Sequence, residues 1–249
     1  MMDLLLDIGN TRAKWVCYSH DKKLINYAGE RHENGVSMAK IFKKWSSLTQ
    51  PSRIIAVIVG KQEVKKSIEN WVVLNWQLPI IFLETKSFDF GITNAYLEYH
   101  KLGVDRWVAM IGAKSQCSGA FCVVDCGTAV TIDVVNNFGE HLGGLIIPGV
   151  DVMQQSLVSQ TSLITLESDL LSSHLLANNT SEAVIKGVYN AVAGFIERVI
   201  DDVLANQQFE MDIFLTGGNA ELFCRLLKYS CCLDVLLVFK GVLVVAEDI

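Results

Sequence analysis

The sequence has little of what marks disordered, secreted or membrane-spanning chains. Only 3 of its 249 residues are proline, while 51% are hydrophobic and 19% are charged, so the chain can bury enough apolar surface to fold. It has no uninterrupted apolar run of the length that a transmembrane helix requires, and its first residues lack the basic stretch that begins a secretory signal. The sequence therefore predicts a cytoplasmic protein that does not bind membranes.

Metal and disulfide patterns are also missing. The seven cysteines form no C-x-x-C motif and the five histidines have no paired ligand spacing, which favours reduced thiols in the core over zinc sites or disulfides. The net charge is −6, which argues against general nucleic-acid binding. Because residues 1–125 carry a surplus of basic side chains and the remainder a surplus of acidic ones, an anion site would draw its cations from the first half.

Three common nucleotide or nucleophile motifs are absent as well. The chain contains no G-x-x-x-x-G-K-[ST], no G-x-G-x-x-G and no G-x-S-x-G. A P-loop, the common dinucleotide and protein-kinase loops, and a hydrolase elbow are therefore not indicated.

What is present is an acidic glycine turn that occurs twice. Asp7-x-Gly9 and Asp125-x-Gly127 lie 118 residues apart, and each turn stands between two strand-like apolar runs. Such a repeat predicts one structural unit duplicated in each half, and strands alternating with helices favour α/β layers. We expect an N-terminal domain over residues 1–114 and a C-terminal domain over 115–249. Helices are predicted over Glu33–Leu48, Lys61–Trp76, Gly103–Cys117 and Ser181–Ala205.

The two turns have the chemistry of a polyphosphate site. A carboxylate that ends a buried strand is costly unless it meets a cation or several N–H donors, and successive turn N–H groups can form an anion-binding nest. The side chains of Asn10, Thr11 and Thr128 offer further donors. Two such turns could bind a polyphosphate with its metal, although tight-turn geometry alone also explains a single Asp-x-Gly.

Two further features add to these turns. Thr216-Gly217-Gly218 joins an apolar run to a helical one, which suits a nucleoside but is also an ordinary strand end. Asp105-Arg106 begins a helical run, where an oriented carboxylate could accept a proton and the guanidinium could bind an anion. Helix capping with a surface ion pair is the alternative interpretation of that pair.

In order and spacing, these pieces resemble the acetate and sugar kinase/Hsp70/actin superfamily and, within it, the type III pantothenate kinases. The resemblance runs from residue 3 to about 220, and Gly-x-Asp-Arg is its most distinctive piece. It rests on Asn94-Ala-Tyr96, Leu102-Gly103-Val-Asp105-Arg106-Trp107, Gly139-x-x-x-Gly-Gly-x-Ile-x-Pro148-Gly149 and Asn179-Thr180-Ser-Glu182.

This resemblance implies duplicated ribonuclease H-like, actin-like ATPase domains with a central cleft. It implies a homodimeric enzyme that phosphorylates pantothenate with ATP, Mg²⁺ and a monovalent cation, K⁺ or NH₄⁺, to give 4′-phosphopantothenate in coenzyme A biosynthesis. The departure from the family pattern that bears most on the substrate pocket is Tyr99, which stands where a proline is usual.

The resemblance also assigns roles to residues. ATP would be bound by Asp7, Ile8, Gly9, Asn10, Thr11, Arg12, Ala13, Lys14, Thr128, Gly217 and Gly218, and the monovalent cation by Asp125. Pantothenate would be bound by Tyr96, Gly103, Val104, Asp105, Arg106 and, across the dimer interface, Thr180, with Asp105 as general base. Two alternatives stay open: a hydrolytic ATPase or polyphosphatase of the same superfamily, and a nucleotide-switched regulatory or transcription accessory protein.

Overall fold

The structure is a computed structural model that describes residues 2–19, 21, 23–32, 38–161, 166, 174, 176–207 and 209–249. The strands are β1 Met2–Ile8, β2 Arg12–Ser19, β3 Leu24–Arg31, β4 Arg53–Ile58, β5 Ile80–Phe82, β6 Phe88–Asp89, β7 Ile92–Thr93, β8 Ala120–Cys126, β9 Ala129–Val135, β10 His141–Pro148, β11 Met211–Thr216 and β12 Cys232–Leu233. The α-helices are α1 Met38–Trp45, α2 Gln62–Trp76, α3 Val104–Lys114, α4 Val150–Gln160, α5 Thr180–Gln207, α6 Ala220–Leu226 and α7 Leu237–Asp248. Residues 33–37 of the predicted helix Glu33–Leu48 lie outside the described residues.

Two five-stranded sheets have the same topology. Their strand orders are β3-β2-β1-β4-β5 and β10-β9-β8-β11-β12. In the first sheet β1 runs antiparallel to β2 and parallel to β4, and in the second β8 runs antiparallel to β9 and parallel to β11. The predicted α/β class and the duplication are confirmed. The first Asp-x-Gly turn joins β1 to β2, and the second joins β8 to β9.

The chain divides into two compact units. The first comprises Met1–Ser118, Gly139–His141 and Leu236–Ile249, and the second comprises Gly119–Phe138 and Leu142–Val235. Helix α7 thus belongs to the first unit although it ends the chain. The division into domains 1–114 and 115–249 stays a prediction.

In the first unit, the alternation of side chains along β1 decides which of them face the core. Leu4, Leu6 and Ile8 pack with buried residues of α1 and α2 in one core. Because successive strand side chains point to opposite faces, Asp7 lies on the other face of β1. Helices α3 and α7 contact this sheet through β4, and α7 also contacts β1.

The contact between α3 and α7 depends on small residues at their crossing. A Cβ added at Gly241 would overlap the carbonyl oxygen of Val108, and one added at Gly112 would overlap that of Leu237. The two backbones therefore approach more closely than any larger side chain would allow. This contact fixes α3, whose first turn contains the predicted Asp105-Arg106 pair.

The second unit repeats the arrangement with different helices. Alternate residues of β8, which are Cys122, Val124 and Cys126, share a core with the buried face of α5 and with α6. Asp125 therefore lies on the opposite face of β8 from that core.

Some elements were not predicted from the sequence, namely β3 and the short β6–β7 hairpin. The seven cysteines all lie among the described residues and form no disulfide. In the part of the chain that the structure describes, no helix combines the length and apolar character needed to cross a membrane.

Candidate active site

The first acidic turn connects β1 to β2 and is closed by backbone hydrogen bonds. The N–H of Gly9 donates to the carbonyl of Arg12 at 2.9 Å, and the N–H of His32 donates to the carbonyl of Thr11 at 2.8 Å. Asn10, Thr11 and Arg12 are exposed, whereas Ile8 and Ala13 are buried in the strands on either side. The turn therefore presents polar residues to solvent from a buried, hydrogen-bonded base.

The carboxylate that precedes this turn is buried and paired. Asp7 is 6% exposed, and Lys14 Nζ lies 3.2 Å from its Oδ2. The pairing follows from the hairpin register, which places Lys14 directly opposite Asp7. A charged pair at the base of a polar turn suits a phosphate-binding site, because lysine can balance added negative charge.

The predicted base lies in the first turn of α3. Gly103 precedes the helix, Val104 begins it, and the N–H of Arg106 donates to Asp105 Oδ1 at 2.8 Å. Arg106 is only 7% exposed, and its Nη1 donates to the hydroxyl oxygen of Tyr96 at 3.0 Å. Arg106 therefore contacts both the Tyr96 hydroxyl and the Asp105 carboxylate.

Burial raises the pKa of the Asp105 carboxyl above its usual range. The negative charge of Asp7 raises this pKa further, while the hydrogen bond from Arg106 N–H and the guanidinium charge of Arg106 oppose the rise. Asp7 and Asp105 both belong to the first unit. A carboxyl with a raised pKa is a better proton acceptor than an ordinary aspartate.

A histidine that the sequence did not single out supports Tyr96. The ring of His141, the first residue of β10, stacks on Tyr96 with centroids 6.3 Å apart and an interplanar angle of 11°. The Nδ1 atom of His141 accepts a hydrogen bond from Ala95 N–H at 3.4 Å. The tyrosine ring is thus held from one side by a buried imidazole and at its hydroxyl by Arg106.

In the second unit, the second acidic turn contacts the Gly-Gly turn. Gly127 N–H donates to the carbonyl of Ala129 at 3.0 Å, and Asn219 N–H donates to the carbonyl of Cys126 at 3.0 Å. Gly217 has a φ of +93°, and a Cβ there would overlap Asp125 Oδ1. Only glycine permits this approach, so the loop after β11 lies directly against the Asp125 carboxylate.

The other residues of these two turns differ in their exposure to solvent. Thr128 and Gly218 are exposed, and Asp125 is partly buried. The contact of Gly217 with Asp125 brings the Gly217-Gly218 turn next to the second acidic turn, which also contains Thr128.

Thr180 lies elsewhere in the second unit, as the first residue of α5. It borders a groove of about 960 Å³ between α4 and α5, together with Pro148, Val152, Leu157, Ala183 and Gly187. The helix start is capped by Asn179, whose Oδ1 accepts from Glu182 N–H at 2.9 Å. Thr180 is thus exposed beside an apolar groove.

The predicted site residues are therefore divided between the two units. The first unit holds Asp7 to Lys14, Tyr96 and Gly103 to Arg106, and the second holds Asp125, Thr128, Thr180, Gly217 and Gly218. His32, which contacts the first acidic turn, and His141, which contacts Tyr96, were not identified from the sequence. Neither has a local sequence signal, because each reaches the site through long-range pairing.

The donor types fit the cations that the family resemblance implies. Asp7 and Asp125 each offer hard carboxylate oxygens beside a turn, which suit Mg²⁺ shared with phosphates or a monovalent cation shared with backbone carbonyls.

Comparison with known proteins gives a family. The family model described as type III pantothenate kinase matches residues 3–202. The chain is 36% identical to the type III pantothenate kinase of Nitrosococcus oceani over 254 residues, which cover 99% of this chain and 94% of that protein. It is 32% identical to that of Dichelobacter nodosus, covering 89% of this chain and 88% of the relative.

Solved structures agree on the fold. A Campylobacter jejuni protein described as a conserved Baf family transcriptional activator matches with a TM-score of 0.64 at 24% identity, covering 98% of both chains. The activator of 2-hydroxyisocaproyl-CoA dehydratase from Clostridium difficile matches with a TM-score of 0.55 at 14% identity, covering 100% of this chain and 95% of that one. These likenesses support the predicted actin-like ATPase fold.

Proposed function

The chain belongs to the type III pantothenate kinase family, and we propose that its acidic turns bind ATP while the start of α3 binds pantothenate and supplies the general base. The reaction is the transfer of the γ-phosphoryl group of ATP to the primary hydroxyl of pantothenate, in coenzyme A biosynthesis. An O–P bond forms at that hydroxyl, the bond to the β,γ-bridging oxygen breaks, ADP leaves, and the hydroxyl proton passes to the enzyme. We place this reaction in the cytoplasm.

Asp105 is the general base in this proposal. Arg106 N–H fixes one carboxylate oxygen at 2.8 Å, which leaves the other oxygen to accept the hydroxyl proton. The raised pKa of Asp105 strengthens it as an acceptor. This oriented, desolvated carboxylate, on which the charge of Asp7 also acts, is the observation that carries the assignment.

Arg106 and Tyr96 orient the acceptor substrate. The guanidinium of Arg106 is nearly buried and its direction is fixed by the Tyr96 hydroxyl. A buried, permanently charged fork binds a carboxylate or phosphate oxygen with defined geometry. We assign Tyr96, Gly103, Val104, Asp105 and Arg106 to the pantothenate pocket, with the start of α3 as its base.

The two acidic turns bind ATP. Residues Asp7 to Lys14 and Thr128 contact its phosphates, and Gly217 and Gly218 leave a flat surface for adenosine. Phosphoryl transfer depends mainly on positioning and on balancing charge, and Lys14 supplies a cation at the first turn. Mg²⁺ neutralises phosphate charge when bound, and we assign the monovalent cation, K⁺ or NH₄⁺, to the carboxylate of Asp125.

We further propose that the enzyme is a homodimer in which Thr180 reaches the pantothenate pocket of the partner. Thr180 is exposed at the edge of a groove lined by apolar residues of α4 and α5, and Val152 and Leu157 are exposed there as well. An apolar surface of this kind is typical of a site covered by a partner.

The test is an ADP-release assay with ATP, Mg²⁺ and K⁺, run with and without pantothenate. A kinase releases ADP only when pantothenate is present and yields phosphorylated pantothenate in equal amount, as measured by mass spectrometry. ADP release that is independent of pantothenate would instead identify a hydrolase. Salt-sensitive DNA binding without turnover would identify a regulatory protein.

A further inference from the structure

The buried side chain of His32 contacts the first acidic turn through the backbone carbonyl of Gly9. His32 follows β3 directly and is 1% exposed. Its Nε2 lies 2.9 Å from the carbonyl oxygen of Gly9. Because a carbonyl oxygen only accepts hydrogen bonds, Nε2 carries the proton and donates it to Gly9.

The backbone of the same residue bonds the same turn a second time. His32 N–H donates to the carbonyl of Thr11 at 2.8 Å. One residue therefore fixes the carbonyls of both Gly9 and Thr11 on the side of the turn that faces β3.

The orientation of these carbonyls decides where the N–H groups of the turn point. In a planar trans peptide the C=O and the following N–H point in opposite directions. Holding the Gly9 carbonyl towards His32 therefore directs the N–H of Asn10 away from β3, to the exposed side of the turn. The N–H of Gly9 is already used within the turn, by Arg12.

The other ring nitrogen shows what this arrangement costs. Nδ1 of His32 is buried and has no hydrogen-bond partner among the described residues. Burying an unpaired polar atom is unfavourable, and an apolar residue at this position would avoid the penalty. The bond from Nε2 to Gly9 is the interaction that a histidine adds here and an apolar side chain could not.

We propose that His32 is a positioning residue for ATP, which orients the N–H of Asn10 towards the phosphates. This rests on the proposed role of the first turn in phosphate binding. A turn N–H that faces phosphate acts in both the ground state and the transition state, so its loss raises the KM for ATP and leaves kcat nearly unchanged.

The test compares three substitutions that differ in where they place a donor. His32→Gln can present an amide N–H at the Nε2 position, His32→Asn is too short to do so, and His32→Leu has no donor. We expect His32→Asn and His32→Leu to raise the KM and the Kd for ATP about tenfold, with the KM for pantothenate within about twofold of wild type. His32→Gln should stay within about threefold of wild type for ATP.

Thermal melting and the variant Thr11→Ala distinguish a failure of the inference about His32 from a failure of the proposed function. Thr11→Ala alters the turn itself, so weaker ATP binding by this variant tests the proposed phosphate role independently of His32. If Thr11→Ala weakens ATP binding and His32→Asn does not, the inference about His32 is wrong and the proposed function stands. If His32→Gln behaves like His32→Asn, or if all three variants only lower the melting temperature, His32 is structural and the inference is overturned.

Discussion

The substitution Asp105→Asn tests the role of Asp105 as general base, because it replaces one carboxylate oxygen by an amide nitrogen and leaves the shape of the side chain unchanged. Asparagine has the same shape, and its Oδ1 can still accept the hydrogen bond from Arg106 N–H that measures 2.8 Å in the wild type. What the change removes is the basic oxygen. ATP binding should therefore persist, with a Kd within about threefold of wild type.

The expected loss of rate follows from the value of a general base. Such a group contributes about 10²–10⁴-fold, or about 3–5 kcal/mol of transition-state stabilisation. We expect kcat for Asp105→Asn to fall by this factor. In the wild type, kcat should decline at acidic pH as Asp105 becomes protonated, and because its pKa is raised this decline begins at a higher pH than for an ordinary aspartate.

Stability should change in the opposite direction. A raised pKa means that the folded state binds the Asp105 proton more tightly than the unfolded state does. The stabilisation from this proton is present below the unfolded-state pKa of about 3.9 and is lost as pH rises through the raised folded-state pKa. At pH 7 to 8 the ionised carboxylate thus destabilises the wild type, and the asparagine variant should melt at the same temperature or higher.

The assay is steady-state ADP release from pH 5 to 9, together with thermal melting of both proteins across that range. A variant that keeps more than about a tenth of wild-type kcat would refute the role of Asp105 as base. A variant that melts well below the wild type at pH 8 would refute the reasoning on burial.

Three further outcomes follow from the other parts of the molecule. Asp125→Asn should abolish the activation of turnover by K⁺ measured in a KCl titration, and an unchanged response would place the cation elsewhere. Gly241→Ala should lower the free energy of unfolding in urea by roughly 1–3 kcal/mol, because its Cβ would overlap a backbone carbonyl of α3. The control Gly194→Ala, in α5 where a Cβ meets nothing within 4 Å, should be neutral or slightly stabilising. If Thr180 acts across the dimer, an equal mixture of re-associated Asp105→Asn and Thr180→Ala chains should recover about a quarter of wild-type activity, whereas no recovery would place Thr180 in its own chain's site.

Local patterns predicted most of the strands and helices, and the duplication. Asp7-x-Gly9 and Asp125-x-Gly127 each follow a buried strand, and a hairpin with an acid at its first turn is a short-range feature that sequence reveals directly. The family resemblance predicted that Tyr96 and Arg106 line one pocket, and the hydrogen bond that joins them was not predicted. What these patterns could not supply was the register that places Lys14 opposite Asp7.

Long-range packing accounts for what the sequence did not predict. Strand β3 has mostly exposed or partly exposed side chains, so no apolar alternation marks it, and it exists because it pairs with β2. His32 reaches Gly9 only through that pairing, and His141 reaches Tyr96 across 45 residues of sequence. The close crossing of α7 with α3 depends on single glycines in two distant helices, which neither helix reveals alone.

The proposal on which the others depend is that both acidic turns, at Asp7-x-Gly9 and at Asp125-x-Gly127, take part in binding ATP. The most direct measurement is a calorimetric titration of ATP, with Mg²⁺ and K⁺, into the wild type and into Thr11→Ala and Thr128→Ala. We expect one ATP per chain and a Kd that rises about tenfold in each variant, as when a hydrogen bond to a charged group is lost. Wild-type affinity in either variant, or in both, would contradict this proposal.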